Sequence, residues 1–77
     1  MSRAAFKALN RAVMVVGDED LGLFFVWYGG AQVSIYDEDF NEVDLVSMSA
    51  GFQRKLTPRH VRAVIDRHRQ QMRHGDD

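Results

Sequence analysis

Two apolar, aromatic-rich segments joined by a pair of glycines constrain the fold more than any other feature of this 77-residue sequence. The stretch runs from Leu21 to Asp37 and reads LGLFFVWY, GG, AQVSIYD. Strand-forming runs on both sides of Gly29-Gly30 are typical of a β-hairpin with a two-residue turn. Such a turn predicts that Trp27 lies opposite Gln32 in the ladder.

Alternation along the two strands sorts their side chains onto two faces, because cross-strand partners share a face. One face would carry Phe24, Val26, Tyr28, Ala31, Val33 and Ile35, and the other Leu23, Phe25, Trp27, Gln32, Ser34 and Tyr36. The first set is nearly all apolar and is predicted to form the core. The second set mixes aromatic rings with small polar groups, which is the composition of a protein interface.

A third strand is predicted at residues 42–49, after a five-residue loop. That loop length places Val43 and Leu45 on the core face of the sheet. A loop one residue shorter would bring Asp44 beside Ile35 in the core, where burial of a lone carboxylate is costly. The longer loop is therefore preferred.

The first part of the chain fits two interpretations. Ser2 can cap a helix that runs from about Arg3 to Val16. The apolar stripe of that helix would be Phe6, Leu9, Val13 and Val16. The run at residues 12–16 is also β-branched enough to form a strand, which would pair with residues 21–28. The helix is preferred because its stripe is continuous from Phe6 onwards.

The clearest helix in the sequence begins at Thr57-Pro58. Threonine is a favourable N-cap, and proline suits the first helical position. The predicted buried stripe consists of Val61, Val64, Ile65, His68 and Met72. Arg62 and Asp66 lie off this stripe, four residues apart, in an arrangement that stabilises a helix. Gly75 would end the helix.

These elements predict a single α+β domain spanning residues 1–77, with the order α-β-β-β-α. A three-stranded antiparallel sheet is about 10–15 Å wide, so two helices packed about 10 Å apart cover it once. Both helices are therefore expected on one face of the sheet, and the other face would stay uncovered. Three outcomes remain open for that face: another part of the chain covers it, a second copy covers it, or a different protein does.

The net charge is −1, but the charges are segregated along the chain. Residues 1–17 hold three bases and no acid, and residues 51–77 hold seven bases and three acids. Residues 18–50 hold eight acids and no base. The predicted sheet is therefore acidic, and its acids crowd at one end of the hairpin. They would repel one another there unless a basic partner or the protein's own arginines neutralise them.

The aromatic face and the acidic end together define a predicted partner-binding surface. Its candidate residues are Leu23, Phe25, Trp27, Tyr36, Asp37, Asp39, Glu42 and Asp44. The acids would steer the encounter with a positively charged protein, and the aromatic rings would hold the complex. The residues therefore predict a non-enzymatic protein-binding module whose partner is a basic, nucleic-acid-binding protein.

The C-terminal helix supports a second function. Its arginines off the apolar stripe include Arg59, Arg62, Arg69 and Arg73. A basic helix face can contact nucleic-acid phosphates, so the alternative is a homodimeric nucleic-acid-binding protein. A solvated helix face accounts for the same arginines. The sequence also lacks helix-turn-helix spacing and an RNA-binding aromatic motif on the hairpin.

No catalytic residue, metal site or cofactor is predicted. The chain has no cysteine, no nucleophile motif and no phosphate-binding glycine loop. Asp37, Asp39 and Asn41 open like a calcium-binding loop, but its sixth position is Glu42 instead of glycine and its twelfth is Met48 instead of glutamate. The apolar runs are far shorter than the ~20 residues that span a bilayer, and no signal peptide is visible. A cytoplasmic protein that does not enter membranes is expected.

The stretch VWYGGAQVSIYDEDFNEVDLVSMS, followed by TPRHVRAVIDRH, resembles in its layout the small orphan proteins that bacteriophages and mobile elements encode, anti-CRISPR inhibitors among them. The resemblance covers Val26 to about His68. It lies in length, compactness and an acidic sheet, without a shared motif. It implies an inhibitor that acts by binding rather than by chemistry. The basic flanks depart from a uniformly acidic mimic.

Overall fold

The computed structural model describes residues 10–48 and 56–74. The elements in these ranges are β1 (Met14–Asp18), β2 (Leu23–Trp27), β3 (Gln32–Asp37), β4 (Glu42–Ser47) and α1 (Pro58–His74). The strands form one antiparallel sheet in the order β1-β2-β3-β4. The α+β class and the antiparallel sheet are therefore confirmed. The prediction of three strands is wrong, because the sheet has a fourth.

The additional strand, β1, comes from the segment that fits both a helix and a strand. Residues 10 and 11 are helical, but Met14–Asp18 pairs with Leu23–Trp27, so the predicted helix does not reach Val16. The earlier part of that helix, before residue 10, lies outside the described residues. The extended form prevails because β-branched residues suit a strand and because β1 satisfies the backbone groups along one edge of β2.

The β2–β3 hairpin is shifted by one residue from the predicted register. Trp27 pairs with Val33 rather than with Gln32, because the turn uses residues 29–31 instead of the two glycines alone. The indole Nε1–H of Trp27 donates a hydrogen bond of 2.7 Å to the carbonyl oxygen of Gly30. The wider turn therefore provides the acceptor that a buried tryptophan needs.

This shift changes which side chains are buried. Phe25 and Trp27 share a face with Val33 and Ile35, and all four are at most 4% exposed. Phe24 lies on the opposite face instead of in the core. The observed register groups the largest rings of β2 with the β-branched residues of β3, which concentrates apolar burial under one helix.

The β3–β4 pairing begins as predicted and then departs from it. Tyr36 lies opposite Glu42, as the five-residue loop requires, but a register shift follows and Ile35 pairs with Asp44. The shift leaves Val43 in a β-bulge, where it is 53% exposed instead of buried. Asp44 lies beside Ile35 without the desolvation cost of a buried carboxylate. Its side chain stays exposed, because β4 is an edge strand of the sheet.

The helix α1 begins and packs as predicted. The backbone N–H of His60 donates to Thr57 Oγ1 at 3.2 Å, which is the expected N-cap bond. Val61 and Ile65 of the apolar stripe are 0% and 1% exposed. The predicted end at Gly75 lies outside the described residues.

One hydrophobic core lies between α1 and one face of the sheet, which we call the helix face. Its buried residues are Val16, Phe25, Trp27, Val33, Ile35, Met48, Val61 and Ile65. Val46, rather than the predicted Leu45, joins this core because it pairs with Val33. We call the opposite side of the sheet the far face. It carries Val15, Phe24, Val26, Ser34, Tyr36 and Leu45. Alternation along the chain assigns Val13 and Tyr28, which flank β1 and β2, to the same side.

Candidate functional site

The large apolar side chains that stay exposed in the described ranges all lie on the far face or at the bulge beside it. They are Val13 (57%), Val15 (43%), Val43 (53%) and Leu45 (44%). Single exposed hydrophobic residues are normal on a protein surface. Their grouping on one side of a sheet makes this side the candidate contact surface of the described residues.

Four aromatic side chains, Phe24, Tyr28, Tyr36 and Phe40, form what we call the aromatic strip of the far face. The hydroxyl oxygens of Tyr28 and Tyr36 are 2.8 Å apart. Tyr36 stacks on Phe40 with 4.6 Å between ring centroids, and the centroids of Phe24 and Phe40 are 6.2 Å apart. All four rings are half-buried. Rings that already hold one another lose little side-chain entropy when a partner covers them.

The two tyrosines of the strip reach towards each other along the sheet. Tyr36 lies opposite Phe24. Phe24 is four residues before Tyr28 in the chain, which corresponds to about 13 Å at ~3.3 Å per residue. Contact between the hydroxyls requires both rings to lie across the Val26–Ser34 pair in between. This arrangement accounts for the full burial of Val26, although Val26 faces away from α1.

The environment of Tyr28 favours its neutral form. Burial, and then the hydrogen bond with Tyr36, raise the pKa of Tyr28 from 10.0 to about 12. The negative charge of Glu42 acts in the same direction. The Tyr28 phenol is therefore protonated at neutral pH, and Glu42 supplies a negative charge near the strip.

The loop between β3 and β4 presents Phe40 with a left-handed backbone. Its φ of 64° costs an L-residue roughly 1–2 kcal/mol. Asp37 holds the loop, because its Oδ1 accepts hydrogen bonds from the backbone N–H groups of Asp39 at 3.0 Å and Asn41 at 2.8 Å. The loop places the Phe40 ring on Tyr36, and this stacking offsets part of the backbone cost.

A cleft of about 310 Å³ lies at the end of the far face, beside the turn between β1 and β2. It is lined by Gly17, Asp18, Glu19, Gly22, Leu23, Phe24 and Glu38. A Cβ at Gly17 would lie 3.4 Å from the Phe24 ring, so the absence of a side chain there leaves space next to the ring. Phe24 belongs to both the cleft and the aromatic strip, which makes the two surfaces continuous.

The acids Asp18 and Asp20, near the same end of the sheet, are neutralised by α1. Asp18 Oδ2 accepts hydrogen bonds from Arg69 Nε at 2.8 Å and Arg73 Nη2 at 2.9 Å, and its side chain is fully buried. Arg73 also pairs with Asp20, and Arg69 with Asp66, each at 3.1 Å. We call these five residues the ionic cluster. The hydrogen bond from Arg69 is the main reason that the pKa of Asp18 falls from 3.8 to about 2.

Three predicted partner-binding residues lie on the helix face instead of the far face. Phe25 and Trp27 are 0% and 4% exposed beneath α1, and Leu23 packs against the same core. The prediction of their face is wrong, because it depends on a two-residue turn. In the folded chain Phe25 and Trp27 stabilise the domain and are not available to a partner.

The other predicted partner-binding residues remain accessible in different degrees. Tyr36 belongs to the aromatic strip, and the exposed Glu42 lies opposite it. The Asp37 carboxylate is used inside its own loop, whereas Asp39 is exposed in that loop. Asp44 is exposed but pairs with a residue of the helix face. The structure therefore brings Tyr36 and Glu42 together and separates them from Asp44.

The sequence pattern did not predict Phe24, Tyr28 and Phe40 as surface residues. For Phe24 and Tyr28, the signal is the indole N–H of Trp27, which needs a hydrogen-bond acceptor if the ring is buried. A wider turn supplies that acceptor and shifts the register, which moves Phe24 and Tyr28 to the far face. The signal for Phe40 is an aromatic residue inside an otherwise polar, acidic loop.

The arginines of the nucleic-acid alternative are mostly engaged within the chain. Arg69 and Arg73 belong to the ionic cluster, and Arg62 forms the predicted pair with Asp66 at 3.3 Å. Of these four arginines, Arg59 has no ion pair with another described residue. These pairs reduce the positive charge that α1 offers to phosphate groups.

Within residues 10–48 and 56–74, no group of three or more His, Asp or Glu side chains is placed to hold a metal ion. The same part of the chain has no helix with the length and apolar character needed to cross a bilayer. No family model, curated protein or solved structure matches the chain.

Proposed function

We propose that this chain is a non-enzymatic protein-binding module that docks its far face on a basic protein, such as one that binds nucleic acid. The observation that carries this proposal is that the exposed aliphatic side chains and the aromatic strip occupy one face. A ring that becomes fully covered buries ~150–250 Å². Because the four rings of the aromatic strip are already half-buried, each can add only a fraction of that area. Together with the exposed aliphatic side chains, they supply part of the ~800 Å² that each partner buries in a standard interface.

The charge distribution supports a basic partner. Residues 12–48 contain eight acids and no Lys, Arg or His. Two of these acids are neutralised in the ionic cluster, and Asp37 is hydrogen-bonded in its loop. The acids that remain are Glu19, Glu38, Asp39, Glu42 and Asp44. Their field would speed encounter with a positively charged surface and disfavour acidic ones.

The same charges make a second copy of the chain a poorer occupant of the far face. A two-fold contact with its axis along the strands would bring the acidic ends of the two copies together, and like charges across an interface are unfavourable. A second copy therefore has fewer favourable orientations on this face than a basic protein has. A small inhibitor of the kind that bacteriophages encode is the biological role that we propose for such a module.

A photo-crosslinking residue on the far face tests the proposal. It is placed at Leu45 and, as a matched control, at Gln70 on the exposed side of α1. We expect the Leu45 probe in the full chain to crosslink to another, basic protein in a host lysate. Unlabelled wild type should compete for this crosslink. A Val15→Ser, Leu45→Ser double variant should not.

Other outcomes would contradict the proposal in distinct ways. Equal crosslinking from both positions would show that the far face has no special role. A Leu45 crosslink only to a second copy of the chain would identify a homodimer. Salt-dependent binding of duplex DNA that requires Arg59 would support the nucleic-acid alternative.

A further inference from the structure

Two glutamates, Glu19 and Glu38, border the cleft beside the β1–β2 turn. Among the described residues, neither Glu19 nor Glu38 forms an ion pair. The carboxylate of Asp18, which precedes Glu19 in the chain, accepts hydrogen bonds from two arginines of α1. Within the described ranges, the two glutamates of the cleft therefore have no counter-ion, unlike Asp18 and Asp20 on either side of Glu19.

The walls of the cleft suit a flat cation. The ring of Phe24 borders the space that Gly17 leaves open. Gly22 has a φ of 65°, and Oε1 of Glu38 lies 3.1 Å from the position that a Cβ at Gly22 would occupy. The Glu38 carboxylate thus sits directly over the turn, at the edge of the cleft. An aromatic wall and nearby carboxylates are therefore combined at one position.

We propose that this cleft binds the guanidinium group of an arginine side chain supplied by the basic partner. A guanidinium group is planar, stacks on aromatic faces and donates paired hydrogen bonds to carboxylates. The volume of about 310 Å³ is at the small end of the ~300–1,000 Å³ range of ligand pockets, which fits one side chain. The source of the arginine rests on the proposed function, whereas guanidinium binding can be measured without the partner.

Ethylguanidinium chloride is a suitable probe because it reproduces the end of an arginine side chain. It is titrated into the isotopically labelled full chain at constant ionic strength, which is maintained with sodium chloride so that screening stays fixed. We expect saturable chemical-shift changes at the backbone amides of Gly17, Gly22 and Glu38. The dissociation constant of such a small cation should be on the order of 1–10 mM.

Matched variants separate the cleft from general electrostatic attraction. Glu38→Gln removes a charge at the cleft and should weaken binding about fivefold. Asp39→Asn removes an equal charge at the next position, outside the cleft, and should weaken binding less than about twofold. Gly17→Ala narrows the space beside Phe24 without a change in charge and should also weaken binding. Thermal unfolding of each variant verifies that the fold is retained.

Equal weakening by Glu38→Gln and Asp39→Asn would overturn the site, because a diffuse negative field would then explain the binding. Shifts that never saturate, or that map to Asp44 on β4, would overturn it as well. If ethylguanidinium binds but the Leu45 probe forms no crosslink to another protein, the proposed partner surface is contradicted and the cleft is supported. An intact crosslink without ethylguanidinium binding would refute the cleft alone.

Discussion

The helix face and the far face of the sheet carry neighbouring aromatic residues but use them differently. On the helix face, Phe25 and Trp27 are 0% and 4% exposed and pack with aliphatic side chains of the core. On the far face, Phe24 and Tyr36 are half-buried and contact the ring of Phe40. Adjacent residues of one strand can therefore have separate roles, because their side chains point to opposite faces.

Replacement of the two adjacent phenylalanines, Phe24 and Phe25, should show the largest difference in stability between the two faces. Phe25→Ala leaves a cavity in the core and should lower the free energy of unfolding by about 3–5 kcal/mol. Phe24→Ala removes a half-buried ring and should lower it by less than half as much. Urea denaturation, followed by the fluorescence of Trp27, measures both. Phe25→Leu serves as a milder variant if the alanine variant does not fold.

Equal losses for the two phenylalanines would contradict the comparison. The far face would then be packed as deeply as the helix face, and no free surface would remain for a partner.

Two acids near the same end of the sheet provide the second comparison. Asp18→Asn leaves Arg69 and Arg73 without their buried carboxylate and should destabilise the fold strongly, whereas Glu38→Gln should have little effect on stability. The folded-state pKa of Asp18, about 2, is below its ordinary value of 3.8. Its stabilising effect is therefore present above 3.8 and is lost as the pH falls through 2.

The stabilities of wild type and Asp18→Asn should accordingly differ at neutral pH and converge near pH 2. Chemical denaturation at several pH values measures this. A difference that persists at low pH would mean that Asp18 acts through packing and not through its charge.

The tyrosine pair of the far face should contribute less. Tyr28→Phe and Tyr36→Phe each remove one partner of the same hydrogen bond and should each cost about 1 kcal/mol of unfolding free energy. The double variant should cost clearly less than the sum, because the bond is shared. Additive losses would show that the hydroxyls bind elsewhere.

The pKa of Tyr28 gives an independent measurement on the same pair. Because the folded-state pKa is raised from 10.0 to about 12, the stabilising effect of the neutral phenol is present below 10 and is lost as the pH rises through 12. Ultraviolet absorbance of the phenolate should show one tyrosine that ionises late in wild type and not in Tyr28→Phe.

The smallest effect on stability is expected at the rim of the far face. Leu45→Ser should change the free energy of unfolding by no more than about 0.5 kcal/mol, while it weakens partner capture. Val46→Ser, at the next position but packed against the core, should cost about 1–2 kcal/mol. Similar losses at the two positions would place Leu45 inside the fold and remove it from the proposed interface.

Local signals were sufficient to predict most of the elements. The Thr57-Pro58 start and the spacing of Val61 and Ile65 predicted α1, and the runs beside Gly29-Gly30 predicted β2 and β3. These signals depend on the conformational preferences of residues close together in the chain. The sequence by itself therefore determined the class of the fold, the presence of a hairpin and the segregation of charge.

Only the tertiary structure decided the register of the hairpin and the identity of its far face. Lengthening the turn to residues 29–31 changes little locally, but it places Phe25 and Trp27 beneath α1 rather than on the surface. The residues of β1 also fit the apolar stripe of a helix, and the hydrogen bonds with β2 decide in favour of a strand. Asp18 and Arg69 are separated by 51 positions. Such contacts contribute free energy only when distant segments meet, so no local pattern specifies them.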